Sequence, residues 1–92
     1  MKHNLKLREE FADAVYNGEK TFEIRINDRG YQKGDTVVFT VIDATGDKQE
    51  HPLNGIEFNI SYILSGWGLN NGYVAFSITE RGKKNDKQRI YG

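Results

Sequence analysis

A chain of 92 residues has room for one domain with a modest core. Thirteen Lys/Arg balance thirteen Asp/Glu, so bulk charge supplies no broad grip on nucleic acid. The absence of cysteine removes disulfides, thiolate metal ligands and cysteine nucleophiles. No apolar run follows the N-terminal Met1–Lys6 segment, and none elsewhere approaches a bilayer span, so the expectation is a soluble cytoplasmic protein without membrane contact, monomeric by default.

Charge is unevenly laid out. Residues 1–34 carry seven Lys/Arg and six Asp/Glu, residues 35–80 carry one and six, and residues 81–92 carry five and one. The pattern predicts a domain over residues 1–80 and a basic, flexible tail over 81–92, able to brush phosphates without sequence preference.

In chain order, His3 to Leu7 reads as a short strand, with His3 placed opposite Leu5 and Leu7 in alternation with Lys6. Phe11, Ala14, Val15 and Gly18 fall at helical spacing after Glu9 and Glu10, whose charges suit a first helical turn. Gly18 is placed as a left-handed helix stop. Thr21 to Ile26 alternates strictly. Phe22, Ile24 and Ile26 are expected in the core, leaving Glu23, Arg25 and Asn27 as an outward polar row with Lys20 at its entrance.

Turns are expected at Asn27–Gly30 and Gln32–Asp35. Thr36 to Ile42 is apolar on both faces and suits a strand buried on both sides, or a barrel strand. Asp43 to Asn54 is a polar loop holding the only proline, Pro52, and His51 is expected to be exposed there. Ile56, Phe58, Ile60, Tyr62 and Leu64 then alternate with polar residues in the longest period-2 run of the chain. After the Ser65–Gly72 loop, Val74, Phe76 and Ile78 form one face of a last strand. Strand, helix, then about four strands predicts a mainly β, α+β chain: a small barrel of five to six strands with one or two helices, one of them covering an opening.

The Lys20–Arg29 stretch carries the chemistry. Arg25 offers a planar fork for phosphate or carboxylate. Lys20 is a point charge that desolvation turns into a nucleophile or base. Glu23 accepts hydrogen bonds, holds a neighbouring cation, or acts as an acid or base. On spacing alone, a solvated lattice of ion pairs explains the same residues. Asn27, Asp28 and Arg29 extend the polar row. His3 is a candidate for the cleft lining, with a solvated strand end as the ordinary alternative. Trp67, in its glycine-flanked loop, either stacks on a base or packs on the barrel, and Tyr73 and Tyr31 pose the same question. Two distant histidines without a carboxylate at ligand spacing give no metal site, and no cofactor is expected.

Gly18-x-Lys20-x-x-Glu23-x-Arg25 resembles the signature of the ASCH (activating signal cointegrator homology) domains of the PUA-like superfamily. The wider run Lys20–Arg29 with Gly34-Asp35, His3-x-Leu5-Lys6, Ile63–Gly66 and Gly72–Val74 is similar to a small bacterial and phage branch of ASCH-like proteins. The resemblance covers residues 3 to about 79. It implies a PUA-like barrel with a helix beside the motif strand, a cleft lined by motif residues, and RNA as partner. Some small relatives hydrolyse acetylated cytidine with a motif lysine, a threonine three residues later and a distant glutamate. Lys20 and Arg25 are kept here, but Glu23 stands where those enzymes carry threonine, and no residue matches the distant glutamate.

The leading expectation is therefore an RNA- or nucleotide-binding module. Lys20, Glu23, Arg25, Asn27, Asp28 and Arg29 contact the ligand, with His3, Trp67 and Tyr73 as further candidates. The alternative is a hydrolase on a modified nucleoside, or a ribonuclease, with Lys20 and Glu23 as the catalytic pair. The third is a structural or protein-interaction domain.

Overall fold

The computed structural model describes residues 1–82; residues 83–92, which include most of the expected basic tail, lie outside the described residues. Strand β1 (Lys2–Arg8) runs directly into helix α1 (Glu9–Tyr16). It is followed by β2 (Phe22–Ile26), β3 (Thr36–Ile42), β4 (Glu57–Ser65) and β5 (Tyr73–Glu80). The strands form one mixed sheet in the order β1-β3-β4-β5-β2. β1 pairs with β3 in parallel, and the other pairings are antiparallel. Among the described residues the chain is mainly β with one helix, as the sequence pattern predicts. Among the described residues, no helix is long and apolar enough to cross a membrane.

Helix α1 ends where its sequence says it should. Gly18 takes φ +80°. Its N–H donates to Val15 O, and the Glu19 N–H donates to Ala14 O at 2.8 Å, the paired bonds of a Schellman stop. Ala12 and Val15 are the helix residues that reach the core, while Phe11 stays half exposed at its edge.

The core lies inside the curved sheet. Leu5 and Leu7 of β1 meet Val37, Phe39 and Val41 of β3, Phe58 and Ile60 of β4, and Val74, Phe76 and Ile78 of β5. The odd-numbered face of β3 is buried and the other is half covered, the arrangement of a barrel strand rather than of one buried on both sides. Two core residues come from segments that read as loop: Tyr31, packed between His3 and Phe76 at ring distances of 4.8 and 4.9 Å, and the fully buried Leu53.

On β1, on β4 and in the long loop after β3, one placement each differs from the sequence reading. His3 shares the face of Leu5 and Leu7 and is 4% exposed, because residues two apart on a strand point the same way. Its Nε2 lies 2.8 Å from Asp35 Oδ2. The period-2 run of β4 changes face at a bulge between Ile60 and Tyr62: Phe58 and Ile60 are buried, whereas Tyr62 and Leu64 are exposed. An extra residue in one strand reverses every later side chain. His51 is largely covered rather than free. Its Nε2 lies 2.8 Å from Asp13 Oδ1, and its Nδ1 accepts the Leu53 N–H, tying the long loop to α1.

Asp35 gathers the start of the chain. Its carboxylate meets His3, the Met1 amino group at 3.2 Å and the Gln32 N–H at 3.0 Å. Burial acts to raise its pKa, but these hydrogen bonds together outweigh burial and hold the carboxyl below its ordinary value. A carboxyl depressed in the folded state contributes stability above its unfolded value, about 3.9, and loses it as pH falls through the folded value. Asp35→Asn is therefore expected to destabilise by about 1–3 kcal/mol at neutral pH, because the groups it serves lose a charged acceptor. The difference from wild type should shrink in urea melts run below about pH 4. Gly18→Ala should cost about 1 kcal/mol by the same melts. No atom crowds that position within 4 Å, so the cost is backbone strain alone.

Candidate cation-rich cleft

Strands β1 and β2 are the two edges of the sheet, and curvature brings them face to face without a shared ladder. On β1, Met1 O accepts the Thr36 N–H, so the even-numbered residues turn their peptide groups away from β3. On β2, Thr21 O accepts from Ile78 and the Asn27 N–H donates to Gly72 O, so Phe22, Ile24 and Ile26 turn theirs away from β5. Side chains bridge the resulting seam. Arg25 Nη2 donates to Lys6 O at 2.8 Å, and Arg29 Nη1 approaches Asn4 O at 3.4 Å.

The polar row of β2 therefore points inward, opposite to expectation. Glu23 is 3% exposed, while Phe22, Ile24 and Ile26 are about half exposed on the outer face. Alternation defines two faces of a strand but not which one is covered. Here the inward carboxylate is fully partnered: Oε2 takes Lys20 Nζ at 2.5 Å and Oε1 takes Arg25 Nε at 2.9 Å. Burying a carboxylate with two charge-assisted bonds avoids the penalty that an unpaired one would incur.

Lys20 also donates to Phe22 O at 2.7 Å, and its ammonium lies 4.9 Å from the Phe22 ring centre and 5.5 Å from that of Phe11. Lys20 has three N–H donors and Arg25 has five. Two of each are engaged in these bonds, which leaves donors for a ligand.

A cavity of about 540 Å³ opens over this cluster, between α1, β1 and β2. Lys6, Arg8, Lys20, Arg25 and Arg29 line it against only Glu23 and Asp28. Arg8 is held by Glu10 at 2.9 Å. Phe11, Phe22, Tyr31 and Tyr73 supply aromatic wall. Burial pushes the Tyr31 phenol up, partly offset by Arg25 and Arg29 nearby. The arrangement combines positive charge, spare N–H donors and ring surface, which suits an anionic ligand carrying a flat group.

Of the residues expected at the site, Lys20, Glu23, Arg25, Asp28, Arg29 and Tyr73 line this cavity. Asn27 sits beside it, where its Oδ1 accepts the Tyr31 N–H and its side lines a smaller neighbouring pocket. His3 does not reach the cavity; the Asp35 contact and the Tyr31 ring hold it in the core. Trp67 lines neither pocket and is 89% exposed with φ +53°, so it does not pack on the barrel. Sequence reasoning missed Lys6, Arg8 and Phe11. Their only signal was position, on the outward face of β1 and at the first turn of α1. Among the described residues, no three His, Asp or Glu side chains gather as a metal site.

The domain-of-unknown-function family DUF3850 matches residues 2–78. Among solved structures, the crystal structure of hypothetical protein PH0355 is similar at a TM-score of 0.56 and 17% identity, over 87% of this chain and 99% of that one. At that identity the likeness concerns the fold. A comparison with curated proteins gives no match. The family match runs from the first residue of β1 to the end of the β5 core face, enclosing both edges of the cleft, and the chain belongs to the DUF3850 family.

Proposed function

We propose that the cleft binds RNA or a nucleotide-like ligand, as an ASCH-like module of PUA-like architecture in a cytoplasmic setting. The observation that carries this reading is the Lys20–Glu23–Arg25 chain, a closed internal ion network whose unused donors belong to the two cations. Five cations against two carboxylates around one cavity favour phosphate. The aromatic walls suit a base, since rings stack on bases without sequence demand. Glu23 acts here as the brace that aims Lys20 and Arg25, rather than as a base reader. The Gly18-to-Arg25 spacing supports the ASCH-like assignment: Gly18 turns the chain and Lys20 to Arg25 lie along one wall of the cleft.

One observation favours hydrolysis as a second reading. Lys20 Nζ and Glu23 Oε2 form a direct, mostly covered pair, which places a carboxylate beside the amine that a base-assisted nucleophile needs. A nucleophilic Lys20 would have to pass its proton to Glu23 first. Turnover of acetylated cytidine or RNA, lost in Lys20→Ala, would favour that reading over binding alone.

The test is titration with nucleoside phosphates and short single-stranded RNAs, followed by chemical-shift mapping. Shifts are expected at Lys20, Arg25, Arg29 and Tyr73. With about three phosphate contacts, log K should fall with log salt at a slope near −2. Arg25→Lys, which keeps charge but loses the fork, should weaken binding roughly tenfold. Shifts confined to other surfaces, or affinity indifferent to salt and to Arg25→Lys, would sink the proposal. A separate outcome is expected for Glu23→Gln: weaker ligand binding and a stability loss of about 2–4 kcal/mol in chemical denaturation, because two inward cations lose their shared carboxylate.

A further inference from the structure

The inverted strand β2 and the bulged strand β4 place apolar side chains on the same outer surface. Registered partners share a face, so Tyr62, Ser77 and Phe22 form one row across β4, β5 and β2. Leu64, Ala75 and Ile24 form the next row, and Tyr73 with Ile26 the last. None of these positions is Lys, Arg, Asp or Glu. Phe22, Ile24, Ile26, Tyr62 and Leu64 are all exposed, and Trp67 stands in the hairpin loop at the end of this face.

We infer that this face binds a second copy of the chain, giving a two-fold dimer through the outer surfaces of β4, β5 and β2. Scaling the exposed fractions by side-chain size gives roughly 500 Å² for the five strand residues, and more with Trp67. That is at the upper end of the largest patch on ordinary monomers, about 300–600 Å². Counting Trp67 raises it to roughly 700 Å², close to the ~800 Å² per partner of a standard interface.

Charge argues for protein rather than nucleic acid here. A strand-binding platform mixes aromatics with cations, whereas these rows carry none, and depletion of charge marks the centre of a protein interface. A formal net charge of zero removes repulsion between copies. An isologous contact also needs only this one surface, used twice. Because Phe22, Ile24 and Ile26 border the cation-rich cavity as well, the partner would form part of the rim of each cleft.

Sedimentation equilibrium of the full chain tests this. The wild type is expected to run at twice the 10.5 kDa of one chain at micromolar concentrations, dissociating on dilution. Tyr62→Lys with Leu64→Lys, both outside the cleft, should weaken association roughly 100-fold or more while leaving the circular dichroism spectrum unchanged. Should that pair fail to fold, concentration-dependent amide shifts in the wild type provide the second reading, expected at Tyr62, Leu64 and Ile24. A wild type that stays at single-chain mass, a dimer indifferent to both substitutions, or Tyr62 and Leu64 signals that move only on adding RNA would overturn the proposal. Ligand titration of the cleft is read separately, so failure of the dimer leaves the binding result standing on its own.

Discussion

Everything around the seam depends on one buried carboxylate. Glu23 faces inward on an edge strand, where a bare charge would be untenable, and Lys20 and Arg25 make it tolerable. In exchange, Glu23 fixes both cations. Arg25 thereby reaches across to Lys6 O and closes the gap that the sheet leaves between its first strand and β2. Removing the carboxylate would set two cations against each other in a half-covered groove. The same contacts thus hold the barrel shut and keep the groove positive.

Such an arrangement separates structural duty from availability. The Glu23 side of each cation is committed, and each keeps further N–H donors in a side chain that lines the cavity. A ligand phosphate meets donors already oriented, so little ordering remains at binding. The aromatic rings of Phe11 and Phe22 beside Lys20 add a cation–π contact to its ammonium.

Elements and turns were legible in the sequence because they depend on local patterns: period-2 runs, the Gly18 stop, and glycines at tight turns. Facing was not. Phe22-Glu23-Ile24-Arg25-Ile26 has two faces by alternation, and what turns one inward is tertiary: Glu23 is partnered by its neighbours Lys20 and Arg25, and Arg25 in turn reaches across the seam to Lys6 O. The β4 run looked continuous because a bulge leaves no mark in composition; Ser61 is ordinary in sequence and reverses Tyr62 and Leu64 in space. The motif residues were found from spacing and resemblance. The cavity's other wall, Lys6, Arg8 and Phe11, was hidden because its membership is set by tertiary curvature. His3 showed the converse error, a polar residue near the motif that is a core member held by Asp35, whereas Tyr31 both packs on Phe76 and lines the cavity.

The parallel pairing of β1 with β3 bears on how the chain finds this state. β1 leaves its place and passes through α1 and β2 before its partner is made, and β2 waits for β5 at the far end of the domain. Only the β3–β4 and β4–β5 pairings join consecutive strands. Loop-closure entropy therefore favours a start in that meander, and the pairings of the first third of the chain, which close longer loops, cost more. The seam that Glu23 braces belongs to those costlier contacts. A mutation there should speed unfolding while leaving the folding rate almost unchanged, which makes the lifetime of the native protein, more than its rate of formation, the property that the buried carboxylate governs.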